Sequence, residues 1–319
     1  MKDDPFFGNF IKTIQTRIPE RGKLAEALAE ILCIEKEAVY RRLRGSVPFS
    51  FQEIYKIALN LGLSLDKIAE RASSEGKYFS VRLVDFLNPS EIDYQILDNF
   101  IYSIHHLKND PDSESGSIGN IIPTSLYVNY KYIYKFHLFK WAYQFGKSGY
   151  PTYENTQITE KLGLINRIFV ESVQNSPKSV YIFDKMFIEI FVSDIQYFFD
   201  IKLISREDVI HLKEDLFLLL NDLERYAAQG TFDTGKKADI YLANVHFETS
   251  YNYIDAKALK VTMVRAFILS DTYSFNETVF EEMKRWLYFL KRTSTMISVS
   301  NASERIHFFH KQRQIVGAL

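Results

Sequence analysis

Apolar positions in the first 70 residues follow the spacing of amphipathic helices. Apolar side chains recur every three or four residues, and each run ends at a proline, a glycine or a short polar break. Ser50 and Glu53, three residues apart, predict a capping box at the start of one helix. We predict helices at Phe6–Arg17, Lys23–Leu32, Lys36–Leu43 and Phe51–Asn60, and a short fifth helix after Ser64. Residues 1–70 are therefore predicted to form a compact five-helix domain.

The pattern after residue 70 predicts a linker and a second, larger domain. Residues 71–77 include Ser73, Ser74 and Gly76 and are typical of a linker. Helical spacing returns in 78–319, although Asn109–Ser125 is rich in Asp, Ser and Gly and is predicted to be a disordered loop. Helices are predicted at about 90–106, 126–145, 157–174, 182–200, 206–229, 276–295 and 304–315.

A two-residue period near the end of the chain predicts strands. Val261, Met263 and Phe267 alternate with polar or small residues, which is typical of a half-buried strand. Ile240–Val245 and Tyr251–Ile254 are predicted as its antiparallel neighbours. The predicted fold class is therefore mainly α: a five-helix N-terminal domain and an α+β C-terminal domain, 78–319, with a small antiparallel sheet near 238–270.

Composition narrows the class of protein. The chain has 319 residues, a net charge of −1 and one cysteine, Cys33. A nearly neutral chain does not coat nucleic acid through bulk charge, so any DNA contact requires a local basic patch. One cysteine excludes an internal disulfide, and the acidic N-terminus lacks the apolar core of a signal peptide. Three lysines interrupt the most apolar stretch, 126–145, so we expect no membrane span and a cytoplasmic protein.

The segment from Leu24 to Gly45 has the pattern of two short helices joined by a tight turn. Its second helix carries Arg41, Arg42 and Arg44. A helix pair of this size, with basic residues on the second member, is typical of a helix-turn-helix, in which the second helix enters a DNA major groove.

Residues 28–45, LAEILCIEKEAVYRRLRG, resemble the helix-turn-helix of lambda-repressor/Cro-type regulators without a gap, and the similarity continues through PFSFQEIYKIALNLGLSLDKI at 48–68. The resemblance implies that Lys36, Glu37 and Arg41 face base edges. Their chemistry is suitable, because Arg41 can donate two bonds to guanine and Glu37 can accept from cytosine.

The resemblance implies different roles for other residues of this segment. Arg44 and Lys23 are expected at phosphates, and Tyr40 at either phosphate or base. Arg42 stands where the family has a bulky, partly buried residue, so we expect its stem to cover the core. Cys33 stands where the family usually has glycine, which predicts a strained or altered turn. Double-stranded DNA is thus the expected partner, read by a homodimer.

Other clusters favour structural roles. His307 and His310 lie three apart on the last helix, as in some metal sites, but basic neighbours make a surface role the better interpretation. An aromatic run from Tyr127 to Tyr143 is interpreted as core packing; the wall of an effector pocket or a dimer seam is the alternative. The chain shows no phosphate loop, catalytic elbow or metalloprotease motif. We expect neither an enzyme nor a cofactor or metal.

The sequence therefore predicts a sequence-specific transcriptional regulator. Its C-terminal domain is expected to sense a small-molecule or protein effector and to mediate dimerisation, although no effector-binding residue can be named. An interaction module, in which the N-terminal domain docks a protein, is the alternative. A weaker alternative is an enzyme activity in the C-terminal domain.

Overall fold

The structure, a computed structural model, describes residues 5–65, 68–69, 79–81, 83–146, 152–257 and 259–319. The predicted linker, 71–77, lies outside these ranges. The chain divides into two compact units. The first contains the described residues before Phe79 together with Phe275–Phe280, and the second contains Phe79–Ser274 and Glu281–Leu319.

The first unit is helical, as predicted. Its helices are α1 Pro5–Arg17, α2 Arg21–Leu32, α3 Lys36–Leu43 and α4 Phe51–Asn60. Leu65, Ile68 and Ala69 are also helical, where the fifth helix was predicted, but residues 66–67 between them lie outside the described ranges. The predicted capping box is confirmed, because Ser50 Oγ accepts from the Glu53 amide and the Glu53 carboxylate accepts from the Ser50 amide.

One apolar cluster holds these helices together. Phe10 and Phe49 meet edge to face with ring centroids 5.7 Å apart, which fixes α1 against the segment that leads into α4. Each helix contributes side chains that are almost completely removed from water, and burial of this kind is the main favourable term in folding. The buried members are Phe10, Ile14, Leu24, Ala25, Leu28, Leu32, Val39, Phe49, Ile57 and Ile68.

The second unit combines helices with one mixed sheet, which confirms the predicted α+β class. After residue 79 the described α-helices are α5 Glu91–His105, α6 Thr124–Tyr127, α7 Lys131–Phe145, α8 Glu160–Gln174, α9 Phe187–Asp200, α10 Arg206–Gln229, α11 Glu277–Thr293 and α12 Ala302–Gly317. The strands are β1 Ser80–Val81, β2 Glu114–Gly119, β3 Lys178–Phe183, β4 Lys237–Leu242, β5 Tyr251–Ala256, β6 Leu259–Arg265, β7 Asp271–Ser274 and β8 Thr295–Met296. Within the described residues, no helix has the length and apolarity that crossing a membrane requires.

The sheet is larger than the small antiparallel one predicted near 238–270. Its strand order is β1-β7-β6-β5-β2-β3-β4-β8. The predicted antiparallel pairing of β5 with β6 is confirmed. The prediction for 240–245 was wrong in its partner, because β4 pairs in parallel with β3 and antiparallel with β8. Helices connect β2 to β3 and β3 to β4, as parallel pairing requires.

The prediction of a disordered loop at 109–125 was wrong, because β2 runs through it in the middle of the sheet. Its polar side chains hydrogen-bond to neighbouring strands. Ser115 Oγ lies 3.0 Å from Ser179 Oγ on β3, and Ser117 Oγ donates to Asn252 Oδ1 on β5 at 2.6 Å. Gly116 lies against the Tyr253 ring, where a Cβ would stand 2.0 Å from Cε1. The polar composition therefore reflects cross-strand bonding.

Two predicted helices are shorter than expected. The helix predicted at 126–145 is broken into α6 and α7 by a turn at residues 128–130, and the N-terminal part of the one predicted at 182–200 belongs to β3. Most of the aromatic run in α7 is buried, as the core interpretation predicted: Phe136, Phe139 and Trp141 are at most 2% exposed. His137 lies in the same core, stacked on Tyr127 with centroids 4.1 Å apart.

Candidate DNA-binding surface

The turn between α2 and α3 keeps the left-handed geometry that usually requires glycine. Cys33 caps α2 with φ 54° and ψ 47°, and its N–H donates to the carbonyls of Ala29 and Glu30. A left-handed conformation costs a residue with a Cβ about 1–2 kcal/mol. The turn is therefore strained rather than reshaped.

Five of the six residues predicted to contact DNA lie on one side of α3. At 100° per residue they occupy an arc of about 140° of the helix. Ala38, Val39, Arg42 and Leu43 occupy the remainder, and Val39 is completely buried. The exposed arc consists of Lys36, Glu37, Tyr40, Arg41 and Arg44, with Tyr40 half-buried against the core. The structure thus brings these five side chains to one surface, which we call the α3 arc.

Three predicted cations are ion-paired on the surface. Lys36 Nζ lies 2.6 Å from Glu26 Oε1 on α2, and Arg44 Nη2 lies 2.9 Å from Glu37 Oε1 within the arc. Lys23, in the first turn of α2, pairs with Glu20 at 2.9 Å. The hydrogen bond that Lys36 donates to Glu26 raises the pKa of Lys36. Exposed pairs of this kind contribute little to stability, so a DNA phosphate can displace each carboxylate at little cost.

Arg41 differs from those three cations. Its side chain is exposed, and within the described ranges no hydrogen bond or ion pair holds its guanidinium. The donors of this group are therefore free for a ligand without prior breakage of a contact. A guanidinium presents paired N–H donors that match two acceptors in one plane, as on the major-groove edge of guanine.

Arg42 points away from the arc, as the sequence predicted. It donates from Nε to Glu53 Oε2 at 3.2 Å and from Nη1 to the Ala38 carbonyl at 3.2 Å, and Nη2 lies 2.9 Å from Glu53 Oε1. Both side chains are about four-fifths buried. Arg42 therefore joins α3 to the start of α4 and orients the arc without contributing to it.

Sequence reasoning missed the acidic partners of the site. Glu26 and Glu53 lie ten and eleven residues from the cations they hold, so only the packing of α2, α3 and α4 brings each pair together. The capping-box pattern predicted that Glu53 caps α4, but it did not indicate that Glu53 also pairs with Arg42. The local balance is still basic: residues 5–65 contain nine Lys and Arg against six Glu and no Asp.

His307 and His310 lie on the exposed side of α12. Across the described ranges, no three His, Cys, Asp or Glu side chains are placed to hold a metal ion together.

Comparison with known proteins supports the first unit as a DNA-binding element. No curated protein and no solved structure matches the chain. The family model of the BetR domain matches residues 11–91, which include α2, the turn at Cys33, α3 and α4. This domain is a DNA-binding, helix-turn-helix-like domain of regulators, and the match indicates a DNA-binding regulatory role. Residues 11–91 of the chain are thus similar to the BetR domain.

Proposed function

We propose that this protein is a sequence-specific transcriptional regulator whose first unit reads DNA in the manner of lambda-repressor/Cro-type domains. The observation that carries the proposal is the α3 arc, where Arg41, unpaired among the described residues, shares a helix face with two weakly paired cations. This face follows a left-handed turn. A helix of this size fits the major groove.

The residues of the arc, together with Lys23, have different roles in DNA binding. Arg41, Lys36 and Glu37 face base edges, where Arg41 reads guanine and Glu37 accepts from cytosine. Arg44 and Lys23 bind phosphates after exchanging their carboxylate partners, and Tyr40 supports either contact. Because one α3 helix spans only a few base pairs, the proposal includes a homodimer that binds two half-sites.

The second unit serves regulation in this proposal. It senses a small-molecule or protein effector in the cytoplasm and contributes to dimerisation. No enzymatic activity is assigned to it.

A protein-docking role is the second candidate, and one observation favours it. Phe51, Tyr55 and Leu59 recur every four residues on α4 and are 76%, 55% and 68% exposed. An apolar stripe at this spacing is typical of helices that bind a protein partner.

Selection of genomic DNA fragments by the purified full chain separates the two candidates. Regulation predicts enrichment of a motif with two related half-sites, and the affinity for that motif should fall steeply with salt because several phosphates are contacted. Failure to enrich any sequence, together with salt-independent retention of fragments, would favour protein docking.

A further inference from the structure

A cleft in the second unit lies between α10 and α12, which pack against each other. It is a shallow cleft that is widely open to solvent, with a volume of about 430 Å³. Three arginines line it, together with one acidic, one amide and two exposed apolar side chains. These seven residues are Asn221, Glu224, Arg225, Ala228, Arg305, Ile306 and Arg313.

The three arginines differ in how their charge is compensated. Arg225 pairs with Asp222 at 2.6 Å and also with Asp233. Arg313 Nη2 lies 2.5 Å from Glu224 and 3.0 Å from Asn221 Oδ1. These acidic partners hold two of the guanidinium groups at the walls of the cleft.

Arg305 alone among the three is held by neutral acceptors. Its Nη1 donates to the carbonyls of Ile297 and Ser300 at 2.8 and 3.2 Å, and within the described part of the chain no carboxylate pairs with it. Its Nε and Nη2 hydrogens remain for a ligand. They form a planar fork that matches the two oxygens of a carboxylate or phosphate.

A strained turn holds Arg305 in place at one wall of the cleft. Val299 and Asn301, which precede α12, have φ of 61° and 50°, and positive φ is a true outlier for a β-branched residue such as valine. The Val299 N–H donates to the Ala227 carbonyl on α10 at 2.9 Å. Because the carbonyls of this segment also hold Arg305, the turn sets the guanidinium in place before any ligand arrives.

We propose that this cleft binds a small oxyanion, a carboxylate or a phosphate ester, as the effector of the regulator; this inference rests on the proposed function. Arg305 holds two ligand oxygens through Nε and Nη2. Because carboxylates balance Arg225 and Arg313, Arg305 supplies the positive charge that faces the ligand. Ile306, which is 60% exposed, contacts the carbon skeleton of the ligand.

Isothermal titration calorimetry on the full chain tests the site, with citrate and glycerol phosphate as probes at constant ionic strength. We expect saturable binding of at least one probe, and the tighter of the two identifies the class of oxyanion. Arg305→Gln should weaken that binding about tenfold or more, since a charge-assisted bidentate contact is lost. Lys311→Gln removes the same charge from an exposed position of α12 outside the cleft and should bind like the wild type.

Arg305→Lys tests the site without relying on a variant that could fail to fold. It keeps the positive charge and a donor for the turn, but it cannot form the two-pronged contact. It should bind several-fold more weakly than the wild type at an unchanged melting temperature. Absence of saturable binding of both probes to the wild type would overturn the inference. Equal weakening by Arg305→Gln and Lys311→Gln would also overturn it, because bulk charge would then explain the binding.

DNA binding is measured separately on the same variants. Oxyanion binding without enrichment of any DNA sequence would leave the cleft established and refute the regulator. Enrichment of DNA without oxyanion binding would leave the regulator and refute the cleft. Loss of affinity for all DNA sequences in Arg305→Gln, without oxyanion binding, would show that the cleft contacts DNA phosphate instead.

Discussion

The carboxylate of Glu53 holds Arg42 and the N-terminus of α4 at the same time. Its oxygens lie 2.9 Å from Nη2 and 3.2 Å from Nε of Arg42, and Oε2 also accepts from the Ser50 amide at 2.8 Å. One buried acid thus ties α3 to the helix that follows it. The direction of the α3 arc depends on this contact, although neither residue belongs to the arc.

Removal of Arg42 should destabilise the first unit. Arg42→Met keeps the apolar stem and removes the guanidinium, and we expect the free energy of unfolding to fall by about 2 kcal/mol, the usual loss for charged hydrogen bonds. Hydrogen exchange of the α3 and α4 amides on the full chain measures the effect. Arg44→Met is the matched control, because its exposed pair with Glu37 should change stability by less than about 0.5 kcal/mol. Equal losses in both variants would contradict the role given to Arg42.

The Arg42 contribution should also depend on pH. Burial alone would raise the pKa of Glu53, but hydrogen bonds from Arg42 and Ser50 outweigh it and lower the pKa below 4.5. A carboxylate with a lowered pKa stabilises the fold above its ordinary pKa, and this stabilisation is lost as pH falls through the folded value. The gap between wild type and Arg42→Met should therefore shrink below pH 4.5. A constant gap would argue against an ionic contact.

Substitution of the strained turn residue should stabilise the chain. Cys33→Gly removes the Cβ that disfavours φ 54°. Relief of about 1–2 kcal/mol, less the entropy that glycine adds to the unfolded chain, leaves an expected gain of about 0.5–1 kcal/mol. Urea denaturation measures it. Cys33→Ala keeps the Cβ and loses only the thiol, so it should match the wild type; a gain in that variant would locate the effect in the sulfur.

Arg41 should determine sequence selectivity. Arg41→Ala removes the proposed bidentate contact to guanine, so discrimination against a changed base pair should fall by about 1–3 kcal/mol. Gel shifts of cognate and singly changed duplexes at one salt concentration measure it. Lys56→Ala removes an exposed positive charge from α4, outside the arc, and should leave discrimination intact. A uniform loss of affinity for all duplexes in Arg41→Ala would indicate a phosphate contact instead.

His137 should make the second unit sensitive to mild acid. Neither ring nitrogen has a hydrogen-bond partner within the described residues. Burial first, and then Lys140 and Arg265, lower its pKa well below 6.5. The folded state therefore stays neutral while the unfolded state binds a proton below pH 6.5, so stability falls as pH falls.

His137→Phe keeps a ring against Tyr127 and removes this titration. From pH 8 to pH 5, the stability of the variant relative to wild type should rise by about 2 kcal/mol, whatever the absolute effect of the larger ring. Thermal or urea unfolding at the two pH values measures the change. Parallel pH profiles for the two proteins would contradict a neutral buried histidine.

The helices of the first unit and the exposed face of α3 follow from the pattern of residues along the chain alone. Helical spacing places Val39 inside and Arg41 outside because both depend only on neighbours within two turns. The capping box at Ser50 was equally local. Strands β5 and β6 were predicted in the same way, because the alternation of apolar and polar residues lies within each strand.

Which cations of the arc are ion-paired depends instead on how the helices pack. Lys36 meets Glu26, and Arg42 meets Glu53, across helices that packing brings together, and no local pattern carries that information. Strand β2 was missed for a related reason. Its serines hydrogen-bond to β3 and β5, and these partners cannot be identified from its own polar sequence, which is typical of a loop. The Arg305 cleft likewise exists only because α10 and α12, which are far apart in the chain, pack together. Contacts that are distant in sequence are settled by the free energy of the whole fold rather than by any one segment.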